Sequence, residues 1–204
     1  MAVSTGRHER AQQTRARICT AAKELFLRQG YGATTITDVA KGAGVAHQTV
    51  YFVFGSKAGL LAAVLDAEIV GDLDAVPLLQ RPEVERIATD ADPVRRLQRV
   101  VTIAVDVTER LAPLYEIVRG GAADADVREL LDRHEEQRRR SLRALVELVA
   151  DDLRDLDVDE AADRLYALLS HEVYWLLVQR RGWSAGRWRN HVATEARRQL
   201  LETG

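Results

Sequence analysis

One short stretch of the sequence carries side chains that can read DNA, at the spacing of a helix surface. His47, Gln48 and Thr49 are consecutive, and Tyr51 follows two residues later. Glutamine can form two hydrogen bonds with an adenine edge, histidine can bond a guanine or a phosphate, and a threonine methyl can contact the methyl group of thymine. On a helix with Val50 turned inward, these side chains remain on the outer surface. Side chains of these types on one helix surface could contact base edges.

Two short helices with a glycine turn between them are predicted to position these side chains. Thr35 can cap the first helix through its hydroxyl group, and Gly42 and Gly44 close it. The second helix is predicted over residues 46–52. A helix pair of this kind is typical of a helix-turn-helix, which places its second helix in the major groove of DNA.

The flanking segments predict two further helices and a basic surface. Apolar residues repeat at helical spacing over residues 16–29, Gly30 ends that helix, and Ser56 can cap a fourth one. Residues 1–65 carry eight Lys and Arg against three Asp and Glu, a net charge of +5. Residues 66–204 carry twenty-one against twenty-eight, a net charge of −7. This uneven distribution of charge favours a polyanionic partner for the first part of the chain.

Two motifs in the first third of the chain resemble the N-terminal domain of TetR/AcrR family transcriptional regulators. Residues 30–45 read GYGATTITDVAKGAGV and residues 49–57 read TVYFVFGSK. The resemblance covers about residues 12–65. It implies an all-α protein with an N-terminal three-helix helix-turn-helix DNA-binding domain at residues 1–65. A C-terminal helical ligand-binding and dimerisation domain would occupy residues 66–204.

The resemblance also implies specific contacts with the DNA backbone. Thr35, Tyr51 and Lys57 stand at positions that bind phosphates in the family. Together with the base-reading candidates, the predicted DNA-binding set is Thr35, His47, Gln48, Thr49, Tyr51 and Lys57. The arginines that precede or open the first helix could reach the backbone or the minor groove, or could simply form a solvated arm. They are Arg7, Arg10, Arg15 and Arg17.

Three residues depart from the family pattern. Ala46 stands where a hydroxyl residue often caps the reading helix, and Val53 stands where a histidine or an aromatic residue is common. Gly59 stands where a helix-favouring residue is common. The first change removes a side-chain cap, and the second removes a candidate phosphate contact.

The remaining sequence predicts long amphipathic helices and no strand. All four prolines lie between residues 77 and 113, so the flanking segments can be uninterrupted helices. Pro93 is predicted to start one helix, and others are predicted over residues 127–153, 159–181 and from residue 184. The last two helices could form a four-helix bundle between two subunits. The predicted interface residues are Leu165, Leu169, Leu176, Leu177, Trp188 and Val192.

Family membership would further imply an inducer-binding pocket in this helical body. Polar and aromatic side chains that interrupt its apolar faces are the candidates, because a mostly apolar pocket needs a few orienting groups. They are Tyr115, Arg119, His134, His171 and Trp175. For each one alone, ordinary core or interface packing is the favoured interpretation.

Other kinds of site find little support in the sequence. No serine lies in a nucleophile motif and no carboxylate pair suggests acid–base work, so we expect no catalytic residues and no enzyme. One cysteine and five scattered histidines predict no metal site, and nothing predicts a cofactor. The longest apolar stretches are far shorter than the roughly 20 residues of a membrane span, and the basic start lacks a signal sequence. We therefore expect a cytoplasmic protein that does not enter membranes.

These observations lead to one functional hypothesis and one alternative. The hypothesis is a ligand-responsive DNA-binding regulator, most simply a repressor that binds a palindromic operator as a homodimer and is released by a small-molecule inducer. The alternative is a helical small-molecule-binding protein without DNA recognition.

Overall fold

The chain folds entirely into helices and turns over the residues that the structure describes. The structure is a computed structural model that describes the backbone of residues 2–71 and 78–201 and the side chains of residues 9–71 and 79–201. No strand occurs in those ranges, as the sequence predicts. The chain divides into two compact units. The first unit is Met1–Leu73 with Pro113–Leu131, and the second is Asp74–Ala112 with Asp132–Gly204.

The first unit opens with four helices, α1 (Ala2–Ala33), α2 (Ile36–Ala43), α3 (His47–Phe54) and α4 (Lys57–Val70). Helical geometry in α1 is interrupted at Gly30, whose φ of 80° and ψ of 167° suit a residue without a Cβ. This confirms the predicted helix end. The core of the unit is made of fully buried side chains from α1, α2 and α4. They include Ile18, Ala22, Phe26, Val39, Leu60 and Leu61.

The two short helices are held by the local signals that the sequence contains. Thr35 accepts a hydrogen bond from the Asp38 amide at 3.1 Å, and the Asp38 carboxylate accepts one from the Thr35 amide at 3.3 Å, which completes a capping box. Gly44 ends α2 in the left-handed conformation, with φ at 64°. Ser56 caps α4 by accepting from the Gly59 amide at 2.9 Å. Ala46 provides no side-chain cap for α3.

Removal of the α2 cap should destabilise the first unit. We expect Thr35→Ala to lower the free energy of unfolding by about 1 kcal/mol, because the Asp38 amide loses its partner at the helix start. Urea unfolding followed by far-UV circular dichroism would measure the loss. Thr37→Ala, at an exposed position inside the same helix, should leave stability within about 0.5 kcal/mol of wild type. Equal stability of the two variants would contradict the capping role.

The remaining helices build the second unit and complete the first. They are α5 (Pro82–Thr89), α6 (Pro93–Gly120), α7 (Ala125–Glu147), α8 (Val158–Leu168), α9 (His171–Tyr174) and α10 (Ala185–Leu200). Short 3-10 turns occur at Leu78–Gln80 and Ala150–Asp152, and α9 continues directly into a π-helix, Trp175–Arg180. α6 starts at Pro93 as predicted and passes through Pro113, from which residue it belongs to the first unit.

Three elements that lie wholly or partly in the second unit differ from the sequence-based prediction. α5 was not expected, although Pro82 stands at its first position and Glu83 and Glu85 lie in its first turn. α7 ends at Glu147, so residues up to 153 are not part of it. The helix predicted over residues 159–181 is broken after Leu168, because Ser170 caps a new helix by accepting from the Val173 amide at 3.3 Å.

Two polar clusters tie helices of the second unit together. Arg189 of α10 donates to Glu109 at 2.9 Å and to Asp106 at 2.6 Å, both on α6. Asp90 accepts from Arg95 at 3.2 Å and from Arg99 at 3.3 Å. The Arg95 hydrogen bonds lower the pKa of Asp90 to about 2. Both clusters link α6 to the segments beside it.

No single helix in the described part of the chain is both long and apolar enough to cross a bilayer. α3 and α4 meet the length and composition of a span only when taken together across a bend of 68°. The side chains of α4 that produce this hydropathy include Leu60, Leu61 and Val64, which are buried in the core of the first unit.

Candidate nucleic-acid interface

α3 presents one face to the core of the first unit and the other to solvent. Val50 is 1% exposed and anchors the helix. His47 and Gln48 are exposed, Thr49 is half-buried, and Tyr51 is 47% exposed. The helix therefore offers three of its four predicted DNA-reading side chains freely to an external partner.

The outer face of α3 is organised in pairs of residues four positions apart. The rings of His47 and Tyr51 lie 4.9 Å apart between centroids, inclined by 60°. Gln48 and Phe52 share the same four-residue spacing, and Phe52 is 92% exposed. The exposed face thus combines an imidazole, a phenol, an amide and a phenyl ring.

Lys57 has a structural task besides any contact with DNA. Its ammonium group donates to the carbonyl oxygens of Tyr31 at 3.0 Å and Thr34 at 3.1 Å. It also lies 4.2 Å from the centre of the Tyr31 ring. Two of its three N–H groups are used inside the unit, so one remains for a phosphate.

Tyr31 connects α1 with the part of the first unit that follows Pro113. A Cβ placed on Gly121 would lie 3.1 Å from its ring, which shows how closely the turn after α6 approaches. Burial, together with Asp124 and Asp126, raises the pKa of Tyr31 to about 12. The phenol therefore stays neutral at physiological pH.

The hydroxyl of Thr35, like the ammonium group of Lys57, is already hydrogen-bonded within the first unit. It donates to the Asp38 carboxylate at 2.6 Å while it accepts from the Asp38 amide. A phosphate contact from this hydroxyl would have to replace the bond to Asp38, whereas Thr35 itself is exposed. The hydroxyl proton of Thr35 can therefore bond either the Asp38 carboxylate or a phosphate, but not both at once.

The arginine candidates of α1 are placed differently from one another. Arg15 lies 4.8 Å from the centre of the Phe54 ring, at the last residue of α3. Arg10 and Arg17 are exposed. The side chain of Arg7 lies outside the described residues. Arg15 therefore links α1 to α3, while Arg10 and Arg17 remain available to a partner.

The predicted ligand-binding side chains are divided between the two units. Tyr115 and Arg119 belong to the first unit, where Tyr115 is half-buried and Arg119 is exposed. His134, His171 and Trp175 belong to the second unit, where His171 is 4% exposed and the other two are half-buried. Their assignment to a common pocket stays a prediction.

His171 is buried in the core of the second unit. Burial lowers the pKa of its imidazole to about 4, and the nearby Arg138 guanidinium adds to this effect. Glu135 and Glu172 act in the opposite direction. Arg138 is itself held by the Leu169 carbonyl at 2.8 Å. The imidazole is therefore neutral across the physiological range.

A groove in the first unit lies outside every sequence-based prediction. It has a volume of about 400 Å³ and runs between α1 and α4, where an ion pair joins Lys23 to Glu68 at 2.7 Å. Cys19 is in its wall but only 4% exposed, and burial raises the pKa of this thiol to about 11. The described residues contain no cluster of His, Cys, Asp or Glu that could hold a metal ion.

Four of the six predicted interface side chains are buried within the second unit itself. Leu165, Trp188 and Val192 are 0% exposed and Leu169 is 1% exposed. Trp188 packs edge-on against Tyr174, with the ring centroids 4.7 Å apart. This corrects the prediction for these four, because apolar periodicity marks a buried face without naming the element that covers it. Leu176 is 51% exposed and Leu177 is half-buried, so both stay candidates.

Comparison with known proteins extends well beyond the helix-turn-helix. The family model for bacterial regulatory proteins of the tetR family matches residues 18–64. The transcriptional repressor Rv3405c of Mycobacterium tuberculosis is 31% identical over 176 residues, which cover 79% of this chain and 91% of that protein. This chain belongs to the TetR family.

Two further relatives show how far the likeness reaches. The transcriptional regulator TtgR of Pseudomonas putida is 44% identical to this TetR-family chain over 59 residues, which cover 29% of this chain and 28% of TtgR. The chain thus spans less than a third of that relative. A protein from Saccharomonospora viridis, crystallised in complex with choline, has a TM-score of 0.67 and 24% identity over 93% of this chain and 98% of its own. That likeness shows a shared fold.

One departure of this TetR-family chain from the family pattern has a steric cause. A Cβ on Gly59 would lie 2.2 Å from the carbonyl oxygen of Phe54, at the end of α3. No side chain fits at that distance without a backbone shift. The glycine therefore allows α3 and α4 to approach closely at the turn between them.

Phe52 is an exposed residue of α3 that the sequence did not lead us to expect on the outer face. Phe52 was not included among the outward side chains of α3, although it lies four residues after Gln48 and two after the buried Val50. Helical spacing alone contained this signal. Phenylalanine is usually buried, so an exposed position for Phe52 is not expected from its residue type.

Proposed function

We propose that this TetR-family protein is a ligand-responsive DNA-binding transcriptional regulator. It acts as a repressor that binds a palindromic operator as a homodimer and is released by a small-molecule inducer. The observation that carries the proposal is α3 itself, whose polar and aromatic face is exposed while Val50 anchors it on the core. The name of the relative Rv3405c, a transcriptional repressor, supports the same direction of control.

In this proposal, residues 1–65 are the reading head. Gln48 pairs with an adenine edge, His47 bonds a guanine or a phosphate, and Thr49 contacts a thymine methyl. Backbone phosphates are bound by Tyr51 and by the remaining N–H of Lys57, with Thr35 as a competing donor. α3 carries no Lys or Arg, so cationic contacts with the phosphates must come from residues outside this helix.

Residues 66–204 supply dimerisation and inducer binding. Two heads related by a two-fold axis each read one half-site, which makes the operator palindromic. Leu176 and Leu177 are the exposed and half-buried interface candidates that a partner could cover. An inducer that binds the DNA-incompetent conformation more tightly lowers operator affinity by the same coupling free energy.

The test is selection of bound fragments from the source genome by the purified chain at near-physiological salt. We expect enrichment of an inverted repeat whose half-sites lie about one helical turn of DNA apart. Sedimentation of the complex should give two chains per operator. Folded protein that enriches no sequence would overturn the proposal and favour a small-molecule-binding protein without DNA recognition.

A matched pair of variants checks that α3 is the reading element. Gln48→Ala should relax sequence preference at one position of each half-site, with a loss of about tenfold in affinity for the selected operator. Arg140→Ala removes an exposed charge of the second unit and should leave the enriched sequence unchanged. An identical loss for both variants would contradict the role of α3.

A further inference from the structure

Phe52 is the most exposed large apolar side chain described in the protein. It is 92% exposed, whereas the next, Leu176, is 51% exposed. A fully exposed phenylalanine forgoes the free energy that burial of its ring would contribute. A large apolar side chain this exposed is suited to contact a partner.

The position of Phe52 is continuous with the reading face of α3. It lies one helical turn after Gln48, on the side of the helix away from the anchored Val50. Four residues of helix advance about 6 Å, which corresponds to about two base pairs of DNA. If α3 lies in the major groove as proposed, the ring lies within about two base pairs of the one read by Gln48.

The chemistry of a phenyl ring restricts what it can recognise there. It has no hydrogen-bond donor or acceptor, so it cannot bond a phosphate or the polar edge of a base. The C5-methyl group of thymine is the apolar feature that the major groove presents. A ring held against that methyl loses water on both sides, which favours thymine over cytosine or uracil.

We infer that Phe52 is a specificity-determining residue that contacts the C5-methyl group of a thymine within about two base pairs of the one read by Gln48. The inference rests on the proposed function. It adds a second apolar contact to the one proposed for Thr49, made by a larger and more exposed side chain.

The experiment replaces each thymine of the selected operator, one at a time, by deoxyuridine, which removes only the methyl group. Affinities are measured for the wild-type chain and for Phe52→Ala. The wild-type chain should lose about five- to tenfold at the thymine that Phe52 contacts in each half-site, apart from any loss at the thymine assigned to Thr49. Phe52→Ala should bind the thymine operator about tenfold more weakly and should be insensitive to uracil at that position.

Two controls separate this contact from a general loss of fold or binding. Phe52→Leu keeps an apolar side chain and should retain part of the preference for thymine. Leu27→Ala changes another exposed apolar side chain, on α1, and should respond to uracil as the wild-type chain does.

The possible failures are distinguishable. If the wild-type chain binds no operator, the proposed function fails, and this inference fails with it. If it binds but tolerates uracil everywhere, or if Phe52→Ala and wild type respond alike at every thymine, only the role of Phe52 is overturned.

Discussion

Acidification from pH 6.5 to pH 4 should cost the protein about 3 kcal/mol of unfolding free energy through His171 alone. The folded chain keeps this buried imidazole neutral down to a pKa of about 4, whereas an unfolded histidine takes up its proton near 6.5. Protons therefore bind preferentially to the unfolded state. The contribution of neutral His171 to the free energy of unfolding is therefore fully present above about pH 6.5. It is lost progressively as the pH decreases to about 4.

The surroundings of His171 set both the sign and the pH window. Burial is the main cause of the low pKa, and Arg138 adds to it against the opposing Glu135 and Glu172. The pKa of Asp90 is lowered to about 2, so the stability that its ionised carboxylate contributes is lost only below about pH 4. The two effects are therefore separated along the pH axis.

Urea unfolding at half-unit steps of pH between 4 and 7.5 would measure the dependence. His171→Gln should be less stable than wild type at pH 7 but should have a much flatter profile between pH 6.5 and 4. His191→Gln is the matched control, since it removes a partly buried histidine of the same unit, and it should retain the wild-type slope. An equally steep profile for His171→Gln would show that another group is responsible.

The substitution Gly59→Ala should cost about 3 kcal/mol, at the upper end of overpacking effects. The new Cβ would lie 2.2 Å from the Phe54 carbonyl oxygen, which is a backbone atom and cannot rotate away. Relief requires α3 and α4 to separate at the turn that joins them. Operator affinity should fall as well, because α3 would move.

Thermal unfolding of the full chain would show the loss as a lower melting temperature. Gly42→Ala is the control, because its Cβ would lie 3.4 Å from the Ala21 Cβ, an ordinary contact distance. That variant should stay within about 1 kcal/mol of wild type. A Gly59→Ala protein as stable as Gly42→Ala would mean that the turn has room to adjust.

Local signals in the sequence were sufficient to predict the helix-turn-helix. Thr35, Gly44 and Ser56 act through atoms only a few residues away, so their capping roles follow from residue type and spacing. Ala46 was correctly predicted to leave α3 without a side-chain cap. The same locality explains why Gly30 could be assigned as a helix end.

The second unit was less predictable because its decisive interactions are distant along the chain. Trp188 and Leu165 lie on the apolar stripes that periodicity identifies, yet the covering elements are other helices of the same unit. The break after Leu168 has only the short-range cap signal of Ser170, and a π-helix such as Trp175–Arg180 is too rare to be expected from a sequence. The burial of His171 follows from helix packing and could not be deduced from a histidine in the sequence.

The closed environment of Cys19 has a practical consequence. It is the single cysteine of the chain, and its buried thiol, with a pKa of about 11, carries almost no thiolate at neutral pH. Alkylating reagents and air should leave it unmodified in the folded protein. A cysteine introduced at an exposed position would then be the only reactive thiol, so a fluorophore could be attached there in the otherwise unaltered chain. Distances between the two reading heads of the proposed homodimer on DNA would become measurable by energy transfer.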